Sequence, residues 1–366
     1  MLNIAIICKT FLKGGTEKQA LILAKLFTEK GIHVTLINLY GSKVDSQNLD
    51  FIRDNSIKYY SLKGIFLTKF ISFLNIIRKE NITVVLSYLT LANLISGLSK
   101  LFIKDIKIIG GIRNESLPAH KLYFEKWIHN WLNDATIFNN YSAKNKFIKK
   151  GFNHEKIYVI HNAIGQIPAN PNGKVKREEL RIITVSRFVN QKDFGTALRS
   201  FRNLINRNPQ KILTYYIVGY GLLEKEIRSL ARQLTILDRT KILINPPNIQ
   251  EILFNCDIFL STSLFEGLSN SIMEAMLAGL PVVATDVGDN SYLIRNGFNG
   301  FLVPCRDEDK IVEKLEYLSG SEDLRREFGG KSRTIIENNF SKEKLLENYL
   351  VVLNEITQMQ LSSSNV

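Results

Sequence analysis

Glu266 and Glu274 stand eight positions apart, on either side of Gly267-Leu-Ser-Asn-Ser271, a small polar turn that opens a helix. Short side chains at Gly267, Ser269, Asn270 and Ser271 leave backbone N–H groups uncovered at the positive end of the helix dipole. Such a turn receives phosphate. Glu274, about one turn inside, is then placed to hold sugar hydroxyls, and Glu266 to do the same at the mouth of the loop. A plainer reading covers part of this. Ser271-Ile-Met-Glu274 fits a capping box, in which the glutamate returns a hydrogen bond to the N-cap amide. That accounts for Glu274 but for neither Glu266 nor the run of small residues. The unit continues through Ala275-Met-Leu-Ala-Gly279-Leu-Pro281-Val-Val-Ala284 as helix, turn and short apolar strand. A helix N-terminus aimed into the crevice of a parallel sheet is where nucleotides bind in such folds.

The rest of the chain supplies the sheets. Asn3–Lys9 and His33–Leu39 read as strands around a helix over Thr16–Lys30 that Gly31 ends. Further strands are expected at Thr83–Ser87, Lys107–Gly111 and Ala135–Phe138, with helical stretches near 66–80, 120–133 and 142–149. Alternation of this kind implies right-handed β-α-β units and a mostly parallel sheet. Gly165–Lys176 holds two of the eight prolines and reads as a linker. The pattern then restarts with strand Arg181–Ser186, helix Phe194–Asn208, strand Leu213–Val218 and helix Leu222–Leu234. Strands Lys241–Asn245, Asp257–Leu260 and Pro281–Ala284 follow, and 321–357 is helical before a Ser362-Ser-Ser-Asn tail. The expected fold class is α/β, two doubly wound, Rossmann-like domains facing across a cleft. Residues 1–165 form the N-terminal domain and 166–345 the C-terminal one. Residues 346–366 are a last helix and frayed tail.

Composition agrees with two ordinary cores: 366 residues, 45% of them hydrophobic. Cys8, Cys256 and Cys305 are isolated and make no metal spacing, which suits a reducing cytosol. The first nine residues lack a basic n-region and read as a strand, and no uninterrupted 18-residue apolar run exists to span a bilayer. The net charge of +13 is lopsided. Residues 1–165 carry 23 Lys/Arg against 11 Asp/Glu, and residues 166–366 carry 25 against 24. A basic first domain suggests docking on an anionic membrane surface. The expected segment is Lys58–Lys79, where Phe66, Phe70 and Phe73 fall on one helical face among Lys63, Lys69 and Lys79. The competing reading packs that face on the domain's own sheet. Nucleic acid is not an expected partner, because no aromatic-basic repeat accompanies the charge.

Around the two glutamates lie other recognisable runs. They are Glu274-Ala-Met-Leu-Ala-Gly-Leu-Pro-Val-Val-Ala-Thr-Asp-Val-Gly288, Val185-Ser-Arg187-Phe-Val-Asn-Gln-Lys192 and Tyr216-Ile-Val-Gly219-Tyr-Gly221. Cys256-Asp257-Ile-Phe-Leu-Ser261 and Gly297-Phe-Asn-Gly300-Phe-Leu-Val-Pro304 complete the set. Together these resemble the donor-site signature of family-4 retaining glycosyltransferases of the GT-B fold. Gly14-Gly15-Thr-Glu17 and Ile160-His-Asn162-Ala163 match more loosely in the first half.

The resemblance implies a last helix, within 346–366, that crosses back to the first domain, and a retaining transfer from a nucleotide-sugar, most simply UDP-linked, to a lipid-linked saccharide of a bacterial envelope glycan. A departing diphosphate needs a metal or fixed cations and amide dipoles. The resemblance implies the second: no cofactor or metal, with Arg187 and Lys192 clamping the diphosphate. It also implies that Glu274 binds the ribose and Glu266 the transferred sugar. Gly267, Leu268, Ser269 and Asn270 would present the phosphate-facing turn, and Gly219 and Asn245 would line the base side. Gly14 and Gly15 would close over the donor phosphate, with Thr16 and Arg113 toward the acceptor. Tyr220 and Tyr292 depart from the family pattern, and Gly111-Ile-Arg113-Asn-Glu115-Ser is similar to a variant found in transferases of N-acetylated sugars. Glu17 reads as a first-turn dipole partner, and His120 and His129 as surface or packing residues. Asp307-Glu-Asp309 is formally a metal-binding Asp-x-Asp, but it opens a helix and reads as a cap. The alternatives are a sugar-nucleotide epimerase or hydrolase on the same fold and, outside enzymes, a polyanion binder.

Overall fold

A computed structural model describes residues 2–12, 14–41, 43–113, 117–165 and 178–358. The expected linker beyond Gly165, Glu115 and the serine-rich tail lie outside the described residues. The chain divides into two compact units, Met1–Ala163 together with the chain from Lys342 on, and Ile164–Ser341.

Among the described residues, the first unit has a seven-stranded sheet: β1 (Asn3–Cys8), β2 (His33–Asn38), β3 (Lys58–Ser61), β4 (Val84–Tyr88), β5 (Lys107–Ile112), β6 (Ala135–Phe138) and β7 (Ile157–Val159). Their order is β3-β2-β1-β4-β5-β6-β7, every neighbour parallel. Helices α1 (Gly15–Glu29), α2 (Ser46–Asp54), α3 (Phe66–Lys79), α4 (Thr90–Ser99), α5 (Ala119–Trp127) and α6 (Tyr141–Ile148) run between them. Side chains of β1 alternate as a doubly covered strand requires. Ile4, Ile6 and Cys8 join one core, and Ala5 and Ile7 join the other.

The second unit has six parallel strands: β8 (Leu180–Arg187), β9 (Leu213–Tyr220), β10 (Thr240–Ile244), β11 (Ile258–Ser261), β12 (Val282–Thr285) and β13 (Gly300–Val303). Their order is β10-β9-β8-β11-β12-β13. They alternate with α7 (Phe194–Arg207), α8 (Glu224–Gln233), α9 (Ile249–Phe254), α10 (Asn270–Leu277) and α11 (Asn290–Leu293), before α12 (Glu308–Ser319) and α13 (Glu322–Asn339). In α7, Phe194, Ala197, Leu198, Phe201, Leu204 and Ile205 are all buried. That stripe at three- and four-residue spacing is what holds the helix on its sheet.

The helical stretch expected over 321–357 breaks at Phe340-Ser341, and α14 (Lys342–Thr357) starts anew. Leu345, Leu346, Tyr349, Leu350, Val352 and Leu353 of α14 enter the core that α1 and β1 also line. The second unit is thus an insertion between two stretches of the first.

The structure splits the expected membrane face on α3: Phe66 is 43% exposed, with Ile65, Leu67 and Ile71 exposed beside it. Phe70 and Phe73 are buried with Leu74, Ile76 and Ile77 against the sheet. Lys69 lies over the Tyr40 ring at 4.2 Å, and Lys58 pairs with Glu80 at 2.5 Å. Helical periodicity marked this stripe correctly but cannot tell a core face from a docking face.

His129 is fully buried, in a π-helical turn over Ile128–Leu132 that extends α5. Its Nδ1 meets Thr136 Oγ1 at 2.7 Å and its Nε2 meets the Asn153 carbonyl at 2.9 Å. Desolvation is the dominant influence and holds the imidazole down, from 6.5 to about 4. A histidine kept neutral by the fold contributes stability that is fully present above the unfolded value and is lost as pH falls toward the folded one. Unfolding free energy should therefore drop by about 3 kcal/mol between those limits beyond what carboxylates contribute. Denaturant titrations of wild type and His129→Gln at a series of pH values should show the steeper acid loss only in wild type.

Candidate active site

Strand order in the second sheet reverses between β8 and β11, each of which starts a run toward an opposite edge. Loops leaving the carboxyl ends of two such strands splay apart and leave a crevice. Arg187 closes β8, and Lys192 follows in a short 3₁₀ turn, Asn190–Lys192. Glu266 lies in the loop after β11, ahead of α10.

These two loops are laced to each other. The Thr262 hydroxyl reaches the Lys192 and Asp193 carbonyls at 2.9 and 3.0 Å, Leu264 N donates to the Gln191 carbonyl (2.8 Å), and Gln191 Nε2 donates to the Phe265 carbonyl (2.6 Å). Asp193 sits in the left-handed region (φ 43°) and caps α7 through the Thr196 amide and hydroxyl. A cap of this sort contributes about 1 kcal/mol and fixes where the Lys192 loop turns.

Lys192 Nζ and Glu266 Oε1 meet as an ion pair whose side chains are only 13% and 10% exposed. Ser263 Oγ donates to the same carboxylate oxygen at 2.7 Å, and the Ser263 carbonyl accepts from the Thr285 hydroxyl at 2.6 Å. Beneath the turn lies Gly288, at φ 59°, where a Cβ would collide with the Glu266 carbonyl oxygen. Asp289 N donates to the Gly267 carbonyl (3.1 Å). The loop that carries Glu266 is therefore held from three sides, by β8, β11 and β12.

Helix α10 begins at Asn270 with Ser269 as its N-cap, whose hydroxyl accepts from Ile272 N at 3.4 Å. Ser271 is already inside the helix, so the capping box with Glu274 does not form. The amides of the first turn have no acceptor within the helix itself, and they lie directly after Gly267-Leu268. Ile272, Met273, Ala275, Met276 and Leu277 pin the helix to the sheet, which leaves half-buried Glu274 off the core stripe.

Gly219 and Asn245 are brought together at the ends of β9 and β10, Asn245 N donating to the Gly219 carbonyl at 3.1 Å. Gly219 has φ 151°, and a Cβ there would strike the Ser186 carbonyl. Only glycine lets β9 end that close to Ser186-Arg187. Arg187 itself is exposed and makes no ion pair among the described residues. Tyr220 and Tyr292, the departures from the family pattern, are 54% and 51% exposed.

The other candidates belong to the first unit. Gly14 caps α1, and Gly15 and Thr16 open it after β1, which with β4 makes that sheet's own reversal point. A Cβ on Gly14 would run into the Glu17 carboxylate, which accepts from the Thr10 hydroxyl at 2.9 Å. Arg113 follows β5 and is anchored by neutral groups. Its Nη1 donates to Asn162 (3.1 Å), its Nη2 to the Tyr349 hydroxyl (3.2 Å), and its plane lies 4.9 Å from the Tyr88 ring. Asp307 caps α12 through Lys310 N (2.9 Å), and Asp309 pairs with Arg207. Sequence reading missed Ser263, Gln191, Thr262 and Thr285, which position the site without carrying charge. Gly288 stood within the quoted run but had no role assigned.

The sequence and the fold have clear counterparts. Residues 13–165 match the model for Glycosyltransferase Family 4, and residues 168–334 match that for Glycosyl transferases group 1. The lipopolysaccharide core biosynthesis glycosyltransferase LpsE of Rhizobium meliloti is 24% identical over 93% of this chain and 96% of its own. An Escherichia coli protein named UDP-Gal:alpha-D-GlcNAc-diphosphoundecaprenol alpha-1,3-galactosyltransferase is 28% identical over 38% of this chain and 37% of its own. Of some other curated relatives, too, the chain spans only about half the length. Among solved structures, Anabaena HepE, a complex with UDP, superposes with a TM-score of 0.81 at 17% identity, over 97% of this chain and all of that one. That likeness is one of fold, the two-domain GT-B architecture. The two family matches run consecutively through most of the sequence, and the chain belongs to the family-4 glycosyltransferases.

Proposed function

We propose that this chain is a retaining, metal-independent hexosyl- or N-acetylhexosaminyltransferase. It moves a sugar from a UDP-sugar to a lipid-linked saccharide in bacterial envelope polysaccharide or glycan synthesis. One observation carries this reading: two cations, Arg187 and Lys192, stand at the reversal point of the second sheet, Lys192 paired with Glu266 in the loop that leads into α10. Fixed positive charge and helix amides at one crevice stabilise a departing diphosphate without help from a divalent ion. In this reading Lys192 exchanges its Glu266 partner for the distal phosphate, and the carboxylate is released toward the sugar. Glu274, off the core stripe of α10, holds the ribose hydroxyls. The departing phosphate takes the acceptor proton, so no general base is assigned.

Support for the donor and acceptor classes comes from the relatives, one named for a UDP-galactose donor and a diphosphoundecaprenol-linked acceptor, another for lipopolysaccharide core synthesis. The test is a thermal-shift and turnover screen across UDP-, GDP- and dTDP-sugars, run with and without excess EDTA. UDP-sugars should stabilise the protein most, turnover should survive chelation, and the product should keep the donor's anomeric configuration by NMR. Turnover that stops in EDTA and returns with Mg²⁺ or Mn²⁺ would overturn metal independence. Release of an epimerised or hydrolysed sugar with donor alone would favour the rival enzyme.

A further inference from the structure

Both tryptophans of the chain, Trp127 and Trp131, project from one face of the first unit. Trp131 is 76% exposed, Tyr123 78%, and Trp127 and Phe124 42% each. Tyr123, Trp127 and Trp131 recur every fourth residue through α5 and the π turn after it, so they form one stripe on successive turns. The opposite face buries Glu125, Ile128, His129 and Leu132. Four large aromatic rings left in water on three turns of helix mark an interaction surface.

The surrounding charge says what covers it. Residues 117–151 contain six lysines and two carboxylates. Glu125 is buried against Asn93, and Asp134 is held by Lys100 at 2.9 Å, so neither opposes the lysines. Several of those cations border the stripe. Asn130 Nδ2, between the tryptophans' turns, donates to the Gly151 carbonyl (3.2 Å), and exposed Lys149 and Lys150 immediately precede Gly151. Lys126 Nζ lies against the same glycine. Trp and Tyr carry an apolar body with one polar handle, which suits the headgroup layer of a bilayer. Lysines beside them suit anionic headgroups.

We propose that the Tyr123–Trp127–Trp131 stripe docks the first unit on an anionic lipid surface. This rests on the lipid-linked acceptor proposed above, and it places the docking face on α5 and its π turn, not on the α3 face expected from sequence.

The tryptophans make the test direct, because all indole emission of the chain comes from this face. Full-length protein is mixed with vesicles of equal parts phosphatidylglycerol and phosphatidylcholine, or of phosphatidylcholine alone, then sedimented and its emission recorded. The anionic vesicles should carry the protein down and shift the emission to the blue, and the neutral ones should not. Trp127→Ser/Trp131→Ser should lose at least about tenfold in partitioning. Lys121→Gln, Lys149→Gln and Lys150→Gln keep both indoles and should each lose about fivefold. Their unchanged emission in buffer would verify the fold. No sedimentation of wild type, sedimentation with unshifted emission, or full partitioning by the tryptophan variant would each overturn the proposal. So would a blue shift that needs only higher protein concentration, which would show a second copy covering the stripe. Stabilisation by UDP is read on the same samples. If it persists while docking fails, the transferase reading stands and only the docking face falls.

Discussion

Arg187→Ala and Lys192→Ala should each lower kcat by about 10²–10³, the scale for removing one preorganised charge-stabilising donor. The two should differ in a second readout. Arg187 is exposed and unpaired among the described residues, so its loss should leave the melting temperature unchanged. Lys192 is mostly buried against Glu266, and its removal strands a carboxylate whose remaining side-chain partner among the described residues is Ser263. Breaking a buried pair in this way costs about 3–5 kcal/mol. Lys192→Met/Glu266→Gln removes both charges and should recover most of that stability while turnover stays low. If the double variant also recovers turnover, Lys192 matters only as the counterion of Glu266, and the diphosphate clamp is wrong.

Glu274→Gln should be nearly as damaging to turnover, by about 10² in kcat/KM, with the fold intact. A carboxylate accepting from two hydroxyls of the donor makes charge-assisted hydrogen bonds, roughly twice as strong as neutral ones, and the amide both weakens them and presents a donor where an acceptor is needed. Helix stability gives no competing explanation, since Ser269 and not Ser271 caps α10. The variant should therefore melt with wild type but gain little stability from UDP-sugar. Wild-type kinetics in Glu274→Gln would remove this residue from the site.

What could be read from sequence was what local patterns control. Strand-helix alternation gave the parallel sheets, and the ends of β6, α3 and α6 fall within a residue or so of expectation. Short or edge elements were missed. β3, β7 and β13 are three or four residues long and their place is set by the strands they pair with, and the helices α2, α4 and α9 also went unread. At the site, charged residues announced themselves by type and spacing, but the groups that hold them did not. Thr262 and Thr285 act through single hydroxyls whose partners lie 70 and 22 positions away, a distance over which sequence carries no pairing signal. The capping box failed for a related reason. Ser269 and Ser271 are equally good caps by composition, and the packing of Ile272 and Met273 decides between them.

Because the second unit is inserted within the first, the order of synthesis and the order of completion are opposite. β1 through β7 leave the ribosome early, yet the core around Ile4, Ile6 and Phe27 waits for Leu345, Tyr349 and Leu353 of α14. At about 5–20 residues per second, the chain between Ala163 and Thr357 takes roughly 10–40 s to make. During that interval the core under α1 lacks the side chains that α14 brings to it, while the second unit already has all the chain it needs. Newborn protein thus passes through a stage with a finished second unit and an incomplete first one, and that stage is where chaperone dependence should concentrate.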